Sequence, residues 1–155
     1  MKRHFFTSMV LLVVVFLGSA CSPAGSPPPE ASAASPASQD GGVEDQASLI
    51  EALSAIGAEV QPGDPVEQAF FAVTGQILKV NDKDVQVFEY ESAEAMEADA
   101  AQVAPDGGSI GTNMVMWVET PHFFKSGRVL VLYVGEDQGV LDLLKGAMGE
   151  QFAGR

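Results

Sequence analysis

The run Val129-Leu130-Val131-Leu132-Tyr133-Val134 has no polar residue in six positions. Side chains alternate between the two faces of a strand, so a run apolar on both parities belongs in the middle of a sheet. Just upstream, Ser126-Gly127 is a turn signal, and it pairs residues 128–134 with His122 to Lys125 as a hairpin. Downstream, Asp137 to Met148 reads as a helix that buries Val140, Leu144, Ala147 and Met148 and stops near Gly149.

Working outward from this core toward the N-terminus, Thr120-Pro121 interrupts the chain after an expected strand from Met114 to Glu119. Before that strand comes a glycine-rich loop from Asp106 to Asn113. A helix capped by Ser92 precedes the loop, with Met96, Ala100 and Val103 on its stripe and Pro105 closing it. Asn81-Asp82 is a hairpin turn between expected strands Gln76 to Val80 and Asp84 to Glu91. A further strand is expected at Ala69 to Val73, after a break at Pro62-Gly63-Asp64-Pro65. The first helix opens on Ser48, with Glu51 reaching back, aligns Leu49, Leu53 and Ile56, and ends at Gly57. The order is α-β-β-β-α-β-β-β-α with short connections. That predicts an α+β fold, an antiparallel sheet with helices packed on one face. Phe70-Phe71 before Thr74-Gly75 echoes Phe123-Phe124 before Ser126-Gly127, which raises the idea of a duplicated half-domain.

The whole chain has 155 residues and carries 21 acidic against 8 basic side chains, a net charge of −13. A basic footprint for phosphates is missing, so nucleic acid is not an expected partner. One cysteine excludes an intramolecular disulfide and a cysteine-based zinc site.

That cysteine, Cys21, follows a distinctive leader. Lys2 and Arg3 precede an apolar run from Met9 to Leu17, and the stretch Phe5 to Ala20 is shorter than the roughly 20 residues a spanning helix needs. A basic start, a short apolar centre and small residues at the end read as a secretory signal peptide. Leu17-Gly18-Ser19-Ala20-Cys21 resembles a lipobox, the processing motif of bacterial prolipoproteins. Gly18 stands where that motif most often has Leu, and Leu17 sits one place earlier. The resemblance covers about the first 22 residues. It implies cleavage before Cys21 and acylation of its thiol, which anchors the chain to a membrane. Two or more acyl chains hold a protein stably, whereas one does not. Ser22 is not the Asp that retains some lipoproteins at the inner membrane. The resemblance therefore implies the outer membrane or, in a one-membrane bacterium, the outer face of the plasma membrane. Residues 1–20 are thus expected to be the signal peptide, which leaves 21 acids against 6 bases.

Between Ser22 and Gln46 lie five Pro, five Ser, five Ala and three Gly, with little to bury. Residues 21–46 are therefore expected to be the lipidated cysteine plus a disordered spacer. Residues 47–155 are expected to be a single domain. This C-terminal part resembles small secreted bacterial domains, a resemblance that brings no activity with it.

The domain offers little for catalysis. His122 is its one histidine, no Gly-x-Ser-x-Gly elbow precedes a helix, and Ser126 lies across a turn from His122. An enzyme is not expected, and no cofactor is called for. Gly107-Gly108-Ser109-Ile110-Gly111 lacks the Lys-Ser/Thr of a phosphate loop. The carboxylate clusters lack calcium-loop spacing and read as solvated charge. Met114 and Met116 place two thioethers on one side of a strand, and with His122 they would make a soft-metal set suited to Cu(I). Strand alternation explains the same methionines without a metal. Trp117, Phe123 and Phe124 concentrate aromatic surface in one half of the sheet and are the expected partner surface. The leading expectation is a lipid-anchored extracytoplasmic domain that binds a protein or small-molecule partner through an uncovered sheet face. A copper-handling protein and a cell-envelope hydrolase or inhibitor are the alternatives.

Overall fold

The computed structural model describes residues 42–155. The expected signal peptide, Cys21 and most of the expected spacer lie outside the described residues. Eleven elements follow in order: α1 (Gln46–Ala55), β1 (Val60–Val66), β2 (Gly75–Val80), β3 (Lys83–Glu89), α2 (Ala93–Ala100), β4 (Ser109–Ile110), β5 (Asn113–Met114), β6 (Pro121–Ser126), β7 (Val129–Val134), α3 (Gln138–Met148) and β8 (Ala153–Gly154). Six strands form one antiparallel sheet in the order β1-β2-β3-β7-β6-β8, and β4 pairs with β5 apart from it. The α+β class and the antiparallel sheet are as the sequence predicts, and β7 sits inside the sheet between β3 and β6.

The helices, however, occupy both faces. Val129, Val131 and Tyr133 of β7 join Leu78, Val80, Val85, Val87 and Phe124 in a core closed by Leu49 and Leu53 of α1 and by Val140 and Leu144 of α3. Leu130 and Leu132, on the other parity, pack with Phe88, Phe123, Met96, Ala100, Val103 and Ile110, so α2 and the chain after it cover the second face. The cause is in β7 itself. A strand with apolar side chains on both parities needs both faces covered, and three helices on one face would leave Leu130 and Leu132 in water.

Three segments depart from expectation. The Pro62-Gly63-Asp64-Pro65 stretch lies inside β1, where the register shifts between Pro62 and Pro65. β1 is an edge strand, so two prolines cost no ladder bonds on the open side, and the bulge twists the edge away from further pairing. Residues 69–73, expected as a strand, form turns and bends instead. Phe71 packs there on Phe88 with ring centroids 4.7 Å apart, so burial rather than pairing accounts for this apolar run. Residues 114–119 form a strand only at Met114, although they keep the alternation of one. β8 was not expected; it adds a short edge beside β6 after α3. Because Phe70-Phe71 lies in a loop and Phe123-Phe124 in β6, the two halves are not structural copies.

Folding begins before the expected boundary at residue 47. Val43 is 2% exposed, and its carbonyl accepts the Ser126 hydroxyl at 2.8 Å. The Arg128 amide donates to the Glu44 carbonyl at 3.0 Å. α1 is capped by Asp45, whose carboxylate accepts the Ser48 amide at 2.9 Å while the Asp45 amide donates to the Ser48 hydroxyl at 2.9 Å. Ser48 is therefore the reciprocal partner three residues in, where the sequence had suggested the cap itself. Ser92 caps α2 as expected, and Asp137, expected as the first residue of α3, is its N-cap.

Candidate functional site

The segment from Gly107 to Pro121 carries the most unusual surface among the described residues. Its base is the β4–β5 hairpin, which turns at Gly111 with φ +58° and plants Ile110 in the core. Beyond the hairpin the chain is held from beneath. The Val115 amide donates to the Gly108 carbonyl at 3.1 Å, and the Trp117 indole N–H donates to the Gly107 carbonyl at 2.6 Å. The Trp117 ring meets Phe70 and Phe123 edge-on, at centroid distances of 6.1 and 6.0 Å. Inward anchors at 115 and 117 force the intervening parity outward. Met114, Met116 and Val118 are 90%, 97% and 94% exposed. Apart from Ile56, they are the only exposed large apolar side chains among the described residues. They form a ridge.

Beside the ridge lies a shallow hollow of about 480 Å³ bordered by Trp117, Val118, Glu119, Asp106, Glu136 and Arg155. Arg155 reaches Asp106 only loosely, at 3.9 Å with both side chains exposed. The Thr120 hydroxyl donates to Glu136 at 3.1 Å. A second hollow of about 380 Å³ shares Thr120, Glu136 and Arg155 and reaches His122. Three carboxylates against one guanidinium make the rim of the ridge acidic, a rim that favours a basic counterpart and repels an anionic one.

The expected site residues are dispersed. His122 is 6% exposed. Its Nδ1 is 2.8 Å from the Gln151 amide oxygen, and its ring stacks on Tyr133 at 6.2 Å. A catalytic histidine needs a carboxylate behind it and a nucleophile before it. Here an amide stands behind it, and the neighbouring Thr120 hydroxyl is already given to Glu136. Nor is the soft-metal set assembled, since both thioethers project into solvent while the imidazole is buried with Nδ1 engaged. Phe123 and Phe124 do not form a surface: they point to opposite faces of β6, each into one of the two cores. Of the expected aromatic surface, only the half-buried Trp117 remains, and its role is to hold the ridge up. Val118 was missed as a surface residue. The alternation of 114–118 showed that one parity faces water, but it did not show which.

No protein-family model, curated protein or solved structure matches this chain.

Proposed function

We propose that this chain is a lipid-anchored interaction domain of the bacterial cell envelope, acylated at Cys21, that docks a protein partner through the Met114–Met116–Val118 ridge. The observation that carries the docking surface is the exposure of those three side chains on a segment rigidly held from below. Isolated apolar residues on a surface are ordinary, whereas a supported row of three marks a binding edge. The anchor rests on the leader and on the lipobox-like Leu17 to Cys21.

The place where residues 43–45 join the fold favours a protein partner over the anchoring bilayer. Residues 43–45 enter the fold at the β6–β7 turn, against Ser126 and Arg128. The ridge runs into Pro121 at the opposite end of β6, about 17 Å away at the usual rise of a strand. The acidic rim also disfavours anionic headgroups.

Native electrophoresis of gently solubilised membranes tests the reading. The wild-type chain is expected in a species larger than the free lipoprotein, and replacing Met114, Met116 and Val118 together by Ser should return it to the free species. Unchanged migration would refute the docking surface. Cys21→Ala should move the protein from the membrane to the soluble fraction, and continued retention would refute the anchor.

A further inference from the structure

Four methionines lie among the described residues, in three different environments. Met96 is 2% exposed in the core beneath α2. Met148 is half-buried against the α1–α3 core. Met114 and Met116 are almost fully exposed and contribute to neither core. The inward partners that hold their segment, Val115 and Trp117, are the residues on the other parity.

We propose that Met114 and Met116 are an oxidant-responsive pair, converted to sulfoxides by hydrogen peroxide or hypochlorous acid, and that this conversion releases the docked partner. The release rests on the docking function proposed above; the selective oxidation does not. In the reaction a sulfur lone pair attacks the electrophilic oxygen. An S–O bond forms, the O–O bond of the peroxide breaks, two electrons pass from sulfur to oxidant, and water leaves. With hypochlorous acid the sulfur attacks chlorine instead: an S–Cl bond forms, the O–Cl bond breaks and hydroxide leaves; water then adds to sulfur, chloride leaves, and two protons are lost, one of them to the hydroxide. Reactivity follows access to the sulfur, so exposure ranks the sites. The product carries a strongly accepting oxygen, which turns an apolar ridge polar and adds a desolvation cost to docking. Because neither side chain is in a core, the fold survives the change. Oxidation of Met96 would instead place a sulfoxide among Phe88, Leu130 and Ile110.

The test is graded hydrogen peroxide treatment of the full-length chain, followed by peptide mass mapping. Met114 and Met116 are expected to oxidise at least about tenfold faster than Met96, in keeping with their exposure. At the point where only the pair is oxidised, the thermal midpoint should be unchanged. Equal rates at Met96 and Met116, or loss of the folded state at that point, would overturn the selective pair. Membranes treated to the same point, and the variant carrying Met114→Gln with Met116→Gln as a polar mimic, are then run on the native gel. Loss of the larger species in both supports release. Its persistence in both refutes release while leaving docking intact. Its absence from untreated wild type refutes docking, and release with it.

Discussion

At the scale of single residues, Asp99 is the polar group that most of the second face depends on. It is buried, and its two oxygens accept the Ala72 amide at 2.8 Å, the Tyr90 hydroxyl at 3.0 Å and the Gln102 side-chain amide at 3.1 Å. One carboxylate thereby joins the 67–73 loop, the end of β3 and α2. Asp99→Ala leaves a buried hydroxyl and an amide without partners, at an expected cost of about 2–4 kcal/mol in urea unfolding, and Asp99→Asn should cost less. Tyr90 gives a pH signature. Burial, then the bond to Asp99, raises its pKa well above the ordinary value of 10.0. Above pH 10.0 the unfolded phenol has lost its proton while the folded one keeps it, so the folded state binds more protons and stability falls as pH rises. Below that pH the contribution is fully present. Unfolding followed from pH 8 to 11 should show an alkaline decline that Tyr90→Phe flattens; an equal decline in both proteins would remove Tyr90 as its source. None of this was legible in the sequence. In the sequence Asp99 is one acid beside Glu94 and Glu97 in a cluster that reads as solvated charge, because burial is decided by what folds over α2.

At the scale of elements, the sequence was most readable where one local rule acts alone. α3 and the Asn81-Asp82 turn follow from caps and turn chemistry, and both turn residues do take positive φ, +49° and +65°. Where two rules competed, the reading failed. Pro62 and Pro65 read as a break, since proline interrupts a central strand, but their place at an edge made them tolerable. Phe70 and Phe71 read as a strand by apolarity, yet Phe71 packs on Phe88 and Phe70 on Trp117. The entry of residues 43–45 into the fold shows a third kind of information, close approach. Gly127 has φ +53°, and a Cβ there would lie 2.5 Å from the Glu44 Cα. Gly127→Ala should therefore cost about 1–3 kcal/mol of strain. It should also loosen residues 43–45, seen as faster amide exchange at Arg128, whose N–H donates to Glu44. Unchanged exchange at Arg128 would mean that the entry segment is not held there. The same end of the sheet carries a charged clasp, in which Arg128 meets Glu89 at 2.7 Å and Asp45 at 3.5 Å. Both contacts are partly exposed, so the close backbone packing at Gly127, and not the ion pairs, is the main restraint.

At the scale of the whole molecule, the proposed function divides labour along the chain. The leader and Cys21 are read as an address and the spacer as reach. The folded unit buries nearly all its large apolar side chains on two faces of one sheet and leaves one ridge outside. The uncovered aromatic sheet face expected from the sequence does not exist; six apolar residues in β7 already required cover on both sides. What composition could not supply was the direction of the 114–118 alternation, which depends on Phe70 and Phe123 offering Trp117 a place to pack. The proposed docking requires that the outward parity meet another protein. The direct measurement is photo-crosslinking in the source cells, with a benzophenone side chain at position 116 and, as control, at exposed position 51 on α1. A discrete adduct is expected from 116 that disappears when Met114 and Val118 are changed to Ser, and none from 51. No adduct from 116, or the same adduct from both positions, would contradict it.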